Sequence, residues 1–360
     1  MKLFKKILRI IGIVLLPFVL VVLGYLSYVL IQYSRIEDYT NIEAENNQNA
    51  NLTLNTEYTI TTYNIGFGAY SKDYSFFMDL GTLKSGEATQ GKYAKAFNKE
   101  DVLKNTNGAI NVIKELNVDF AFFQEVDTKS NRSYKVNQCE MIKDSFNNYG
   151  SLFASNFHTA YLLYPFNDPI GKSNSGIITL SKYQVSSAVR RSFPLTGKIL
   201  SDLTDLDRCF LVTRIKINDN KDLLLVNLHM SAYDEGGKVR AEQMKLLCSF
   251  LEEEKDNYVI VGGDFNHCLN DTEFESNELT PDWVAIFPKD DLPSGYTVVS
   301  SGNAATCRSS DLPYQKGVNY EVVIDGFIVG NGVEVISVTN IDTDYEYSDH
   351  NPVKMAFRLN

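Results

Sequence analysis

Hydrophobic residues recur along this chain in three patterns, and each predicts a different element. Short runs rich in Val, Ile and Phe form the first: "YTITTYNI", "VDFAFFQEV", "SGIITLS", "FLVTRIKI", "DLLLVNLHM", "YVIVGGDF", "VVIDGFIV" and "VEVISVT". Their length and their β-branched and aromatic content predict strands. In the second pattern apolar residues return every three or four positions. "NKEDVLKNTNGAINVIKELN" predicts a helix with Asn98 as N-cap, and "GGKVRAEQMKLLCSFLEEEK" one with Val239, Leu246, Leu247 and Phe250 on one side. Many strands with a few long helices make a layered α/β domain. The third pattern is the uncharged run "IIGIVLLPFVLVVLGYLSYVLI" over residues 10–31, as long as a bilayer's hydrocarbon core requires.

That run predicts a transmembrane helix. It exceeds the apolar core of a signal peptide, no small-residue cleavage site follows it, and no face of it is polar enough for a soluble surface. Lys2, Lys5, Lys6 and Arg9 precede it, so residues 1–9 read as a cytoplasmic basic tail, and the large domain faces outward from a cell membrane. Residues 32–56 hold many Asn and little to bury, the composition of a solvated linker, so folded structure is expected from Glu57 to the end, residues 57–360.

Charge and cysteines narrow the classes further. Beyond residue 38 the chain carries 29 Lys+Arg against 43 Asp+Glu, a net of −14, which disfavours a protein that coats a nucleic-acid duplex. Five cysteines, at 139, 209, 248, 268 and 307, are odd in number and lack a CxxC spacing, so buried free thiols are expected over a disulfide framework.

The candidate chemistry sits where the strands stop. Asn64, Gln124 with Glu125, Asn227 with His229, Asp264 with Asn266, Asp325, and Asp349 with His350 all fall at strand ends or in the last turn. One Asp or Asn there is a turn former or helix cap. Six such places are different, because strand ends on one edge of a sheet converge in space, and sites are commonly built there.

In this order, "TYNIG", "FQEVD", "NLHMS", "GGDFNH", "VIDGF" and "YSDHNP" resemble the endonuclease/exonuclease/phosphatase superfamily, from about residue 57 to the end. "SNSGIITLSKY", "RAEQ" at 240–243 and "ATCR" at 305–308 agree with it. The resemblance implies a four-layer α/β sandwich, two β-sheets face to face with helices outside. It also implies a phosphate-ester hydrolase using Mg²⁺, with Mn²⁺ as a substitute, and held by Glu125, Asn64 and Asp349. Asp264 would position the attacking water or accept its proton. Asn266 would bond a phosphoryl oxygen, and His350, oriented by Asp325, would contact the phosphate together with His229.

Arg208, Asn227, Arg132 and Tyr134 are the expected substrate contacts, whereas His267 and His158 read as structural. The aromatic-rich stretch 66–98, directly after Asn64, is expected to be a substrate lid or a loop packed on itself. The anchor and acidic body favour, in a monomer, a membrane-held phosphodiesterase or phosphatase acting on a lipid head group or small phosphate ester. A surface nuclease degrading DNA or RNA is the alternative. The unbroken series of polar residues argues against an inactive binding module.

Overall fold

A computed structural model describes residues 2–195, 207–217, 221–232 and 237–360. Helix α1 (Lys2–Gln32) takes up the apolar run and contains Pro17; residues 9–24 are exposed, and in the last turns Val29 is buried against Ala160. The body is two sheets face to face. Along the first run β1 (Thr40–Asn41), β6 (Ser187–Ser192), β7 (Cys209–Lys216), β8 (Asp222–His229), β9 (Tyr258–Asp264), β11 (Asp325–Val329) and β10 (Thr297–Val299), in that order. The second holds β12 (Val333–Asn340), β13 (Val353–Leu359), β2 (Glu57–Asn64), β3 (Phe120–Asp127), β5 (Asn174–Ser181) and β4 (Gly150–His158). In each sheet one central pair, β8 with β9 or β2 with β3, is parallel and the other pairs are antiparallel.

Strand alternation produces the layering. Successive side chains point to opposite faces, so Leu223 and Leu225 of β8 enter the core between the sheets with Ile60, Phe122 and Phe327. Leu224 and Val226 turn to the other face, against Leu247 and Phe250 of α4 (Lys238–Glu253). On the outer face of the second sheet, Ala121 and Phe123 pack on Ile110 and Ile113 of α2 (Lys99–Leu116) and Ile142 of α3 (Gln138–Ser145). The expected four layers are therefore present. Asn98 caps α2 as anticipated, accepting from the Asp101 N–H.

One expectation needs correction. Residues 32–56 are not a free spacer: β1 pairs with β6, Glu45 bridges to Ser151, and Leu52 is buried in the core between the sheets. Asparagine misled because its side chain can imitate a strand. Asn47 Nδ2 donates to the Val185 carbonyl while its Oδ1 accepts from the Val185 N–H. Residues 66–98 take the second of their two expected forms, a loop packed on itself. Phe67, Tyr70 and Tyr74 form a small core with Ala96 and Val102, and the buried Arg308 guanidinium donates to the carbonyls of Ser71 and Tyr74. All five cysteines are free.

Candidate active site

Register places the polar strand ends side by side. His229 is the parallel neighbour of Asp264, and Asp264 faces Asp325 across the next antiparallel pair. On the other sheet Asn64 neighbours Gln124, and the ladder of β3 slips between Phe123 and Val126, a bulge that holds Glu125 at φ 55°. Bulges re-aim side chains at sheet ends, and here the result is an acid facing the first sheet. The pair of glycines before Asp264 has a steric cause. Gly263 has φ 147°, and a Cβ there would lie 2.0 Å from the Leu228 carbonyl oxygen.

At this edge the Asn64 amide joins the two sheets. Asn64 Nδ2 donates to Asp264 Oδ2 at 3.0 Å and lies 3.5 Å from Glu125 Oε1. On its other side Asp264 Oδ2 is 3.4 Å from His229 Nε2 and 3.7 Å from His350 Nε2, and the His350 Nδ1 contacts Asp325 Oδ2 at 2.8 Å. The Asp264 Oδ1 accepts the Asn266 N–H, and Asn266 Nδ2 donates to the Met230 carbonyl. Glu125, whose side chain is 23 % exposed, also lies 3.9 Å from His229 Nε2, whereas Asp264, His229 and His350 are buried. The buried carboxyl and imidazoles thus form the floor, and Glu125 faces the opening.

Burial and neighbouring charge set the protonation states. Burial pushes Asp264 above the ordinary carboxylate range and Asp325 adds to the rise, while His350 and the N–H groups of Asn266 and Asn64 pull it back. Burial likewise raises Glu125; Arg132 opposes this, and the like charge of Asp349 adds to it. His229 is held well below the usual imidazole range by burial and by the cations Arg208, His350 and Arg132, so it is neutral at pH 7. For His350 burial again works against the charge, but Cys307, Asp325 and Asp264 outweigh it and hold the imidazolium. The Cys307 thiol is itself pushed up to about 12 by burial, which leaves the carboxyls of Asp325 and Asp264 to favour the imidazolium, the first of them hydrogen-bonded to the ring.

The other expected residues separate into three groups. Arg208 is buried within electrostatic reach of Glu125 and His229, and Asp349 likewise acts on Glu125. Arg132 reaches Glu125 too, but its Nε and Nη2 are clamped on Asp127 and its guanidinium lies over the Phe67 ring. Tyr134 stands at the edge, 41 % exposed, with its hydroxyl donating to the Phe97 carbonyl. Asn227 is corrected. It is fully buried between the sheets, donates to the Ile178 and Phe123 carbonyls and accepts from Gln124 Nε2, so it fastens one sheet to the other and faces no substrate. His158 contacts Ser34 and Asp207, and His267 the Phe265 carbonyl, both away from the floor.

A supporting layer was not given roles from sequence. Gln124 is the other half of the fastener, and Ser348 Oγ bonds the Asn64 carbonyl. Thr306 Oγ1 accepts the N–H of Asp325. Arg240 Nη1 holds the Asn266 carbonyl at 2.6 Å, and Gln243 bonds both the N–H and hydroxyl of Ser231. The signals were visible in the "RAEQ", "ATCR" and "YSDH" strings, but their job depends on contacts distant in sequence.

The sequence model of the Endonuclease/Exonuclease/phosphatase family matches residues 61–350. The chain belongs to that family. Its relatives hydrolyse phosphate esters. No curated protein matches significantly in sequence. Among solved structures, the fold is similar to an endonuclease/exonuclease/phosphatase from Beutenbergia cavernae (TM-score 0.57, 14 % identity, 84 % of this chain and 72 % of that one). It is also similar to D. rerio TDP2 complexed with single strand DNA product (0.53, 14 %, 85 % and 100 %) and to ANGEL2, a 2',3'-cyclic phosphatase, in complex with adenosine-2',3'-vanadate (0.53, 15 %, 91 % and 99 %). At these identities the likeness establishes the fold.

A divalent cation suits the donors of this family site. Glu125 and Asp349 offer hard carboxylate oxygens, and burial with like charge makes the anionic state of Glu125 costly unless a cation is near. Asn64 fits less well as an oxygen ligand, because its Oδ1 accepts the Gly66 N–H while its Nδ2 faces the acids. Among the described residues Asp264, Asp325 and His350 form an acid and imidazole group with ligand atoms within 4.8 Å, but His350 Nδ1 already contacts Asp325 Oδ2.

Proposed function

We propose that this chain is a membrane-anchored, divalent-metal-dependent hydrolase of phosphate esters whose substrate is a lipid head group or another small ester. The observation that carries this reading is the single amide of Asn64 shared by Glu125 of one sheet and Asp264 of the other, with two imidazoles closing on Asp264. A cation on Glu125 and Asp349 would neutralise phosphoryl oxygens and steady the leaving oxygen.

Asp264, raised toward neutrality and held at both oxygens, is placed to orient a water and take its proton. His350, kept charged by Asp325, donates to a phosphoryl oxygen as negative charge builds there. Arg208 adds positive charge on the same side. His229 is neutral, and its Nε2 turns toward Asp264 and Glu125, the side on which a phosphate or a water would be met. The rigid strand ends suit this work because an in-line attack needs position more than motion.

Helix α1, from Phe4 to Gln32, is long and apolar enough to span a bilayer, and with the acidic body it favours a lipid or small ester over nucleic acid. The test is turnover by the full chain in detergent micelles, with Mg²⁺, of phospholipid and sphingolipid diesters, inositol phosphates, DNA and RNA. Lipid or small-ester cleavage that EDTA abolishes and Mg²⁺ or Mn²⁺ restores is expected. Cleavage of nucleic acid alone would replace this reading with that of a surface nuclease, and turnover indifferent to EDTA would refute the metal.

A further inference from the structure

The loop between β4 and β5 exposes what loops usually hide. Tyr161, Leu163, Tyr164 and Phe166 are 41 %, 40 %, 62 % and 85 % exposed, and residues 159–167 contain no charge. Scattered surface rings need no explanation, but a contiguous apolar stretch marks an interaction surface. Here the stretch is fixed against the apolar helix. Tyr25 Oη donates to the Tyr161 carbonyl and accepts the Leu163 N–H, Tyr28 Oη accepts the Tyr161 N–H, and Val29 packs on Ala160.

We infer that the loop of residues 159–172 is a membrane-docking surface, whose rings enter the head-group region of the bilayer that α1 crosses. The inference rests on the reading of α1 as a span and adds what that reading lacks, the orientation of the catalytic body. Tyr25 lies six residues before Ile31, the last of the apolar run, or about 9 Å back along the helix at 1.5 Å per residue. A loop bonded to Tyr25 and Tyr28 therefore cannot remain in water while the span is in lipid. Tyr and Phe suit the boundary, since their rings prefer the acyl side and the tyrosine hydroxyl stays hydrated.

The surface also leads to the site. Phe166 contacts Tyr164, Tyr164 contacts Phe77 at 5.7 Å between ring centres, and rings continue through Phe76 and Tyr70 to Phe67, over which Arg132 lies beside Glu125. Docking would hold one rim of the opening against the membrane, where a phosphate ester is presented by a lipid. A bilayer fits better than nucleic acid, because residues 159–167 carry no charge and Lys95 is already paired with Asp168.

The test uses the full chain in phosphatidylcholine nanodiscs. With the single native tryptophan removed by Trp283→Phe, Phe166→Trp and, separately, Leu20→Trp report on lipid contact through quenching by brominated acyl chains. Phe166→Trp should be quenched most by bromine near the head group and Leu20→Trp most by bromine near the chain ends. Quenching of Leu20→Trp alone would leave the anchor standing and overturn the docking surface. Blue-shifted but unquenched Phe166→Trp emission would also overturn it, in favour of a second protein copy as the cover. If neither is quenched, the span itself fails and the docking surface with it. In the Tyr164→Ser, Phe166→Ser double variant, turnover of a substrate embedded in the disc should fall severalfold while that of a water-soluble ester stays unchanged; equal losses on both would contradict the inference.

Discussion

The strand ends and the 159–172 loop reverse the usual placement of polarity in opposite directions. At the strand ends two carboxylates and two imidazoles are buried, with polar groups set against them: Asn64 and the Asn266 N–H on Asp264, Asp325 on His350. In the loop, aromatic rings stand in the open, and the polar contacts are made by its backbone to Tyr25 and Tyr28. Buried charge is costly unless compensated, and exposed rings gain from being covered. The first region is therefore over-determined internally and the second under-determined, so substitutions should act on chemistry in one and on location in the other.

The sharpest break in that comparison is His350→Ala, which should lower kcat by about 10²- to 10⁴-fold, the usual worth of a positioned acid–base group, with circular dichroism showing the fold retained. Next, Asp325→Asn removes the negative charge that keeps His350 protonated. A raised imidazole pKa then falls, His350 loses its proton at lower pH, and the alkaline limb of the pH–rate profile should move down by about 1–3 units. An unmoved limb would show that another group sets it.

Stability separates two aromatic residues of the same rim. Tyr74 is fully buried among Tyr70, Tyr93 and Phe97, and Tyr74→Ala should lower the unfolding free energy from urea titration by about 3–5 kcal/mol. Phe166→Ala in detergent should change it by no more than about 0.5 kcal/mol, because the ring is exposed. A large loss from the second would mean that the ring is part of the folding core.

The fold was legible where period and length agreed. Runs such as "DLLLVNLHM" and "YVIVGGDF" became β8 and β9 with their ends within a residue or two of expectation. Strand β6, "SAVRRS", was invisible because its buried Arg190 is hydrogen-bonded by carbonyls and a hydroxyl that only the tertiary structure supplies. Much of the site was legible because strand ends are local in sequence and convergent in space. What could not be read was the difference between a residue at the end of a strand that faces the opening and one that faces the opposite sheet. Asn227 and His229 are two residues apart and both fully enclosed, yet one ties strands together while the other borders Asp264. Distinguishing them requires the register between the sheets.

The central claim is that Asp264 acts on the attacking water and is not a strand-end brace. Its direct measurement is the kcat and KM of Asp264→Asn on a confirmed ester substrate, alongside the Mg²⁺ concentration that gives half-maximal rate. The variant keeps the shape of the side chain and one of its two accepted hydrogen bonds, that from the Asn266 N–H or that from Asn64, since the new amide nitrogen can only donate. A fall in kcat of about 10²-fold or more with little change in KM or in the Mg²⁺ requirement is predicted, because the lost contact matters mainly in the transition state. Near wild-type kcat would contradict the account and reduce the cluster "GGDFNH" to structural support.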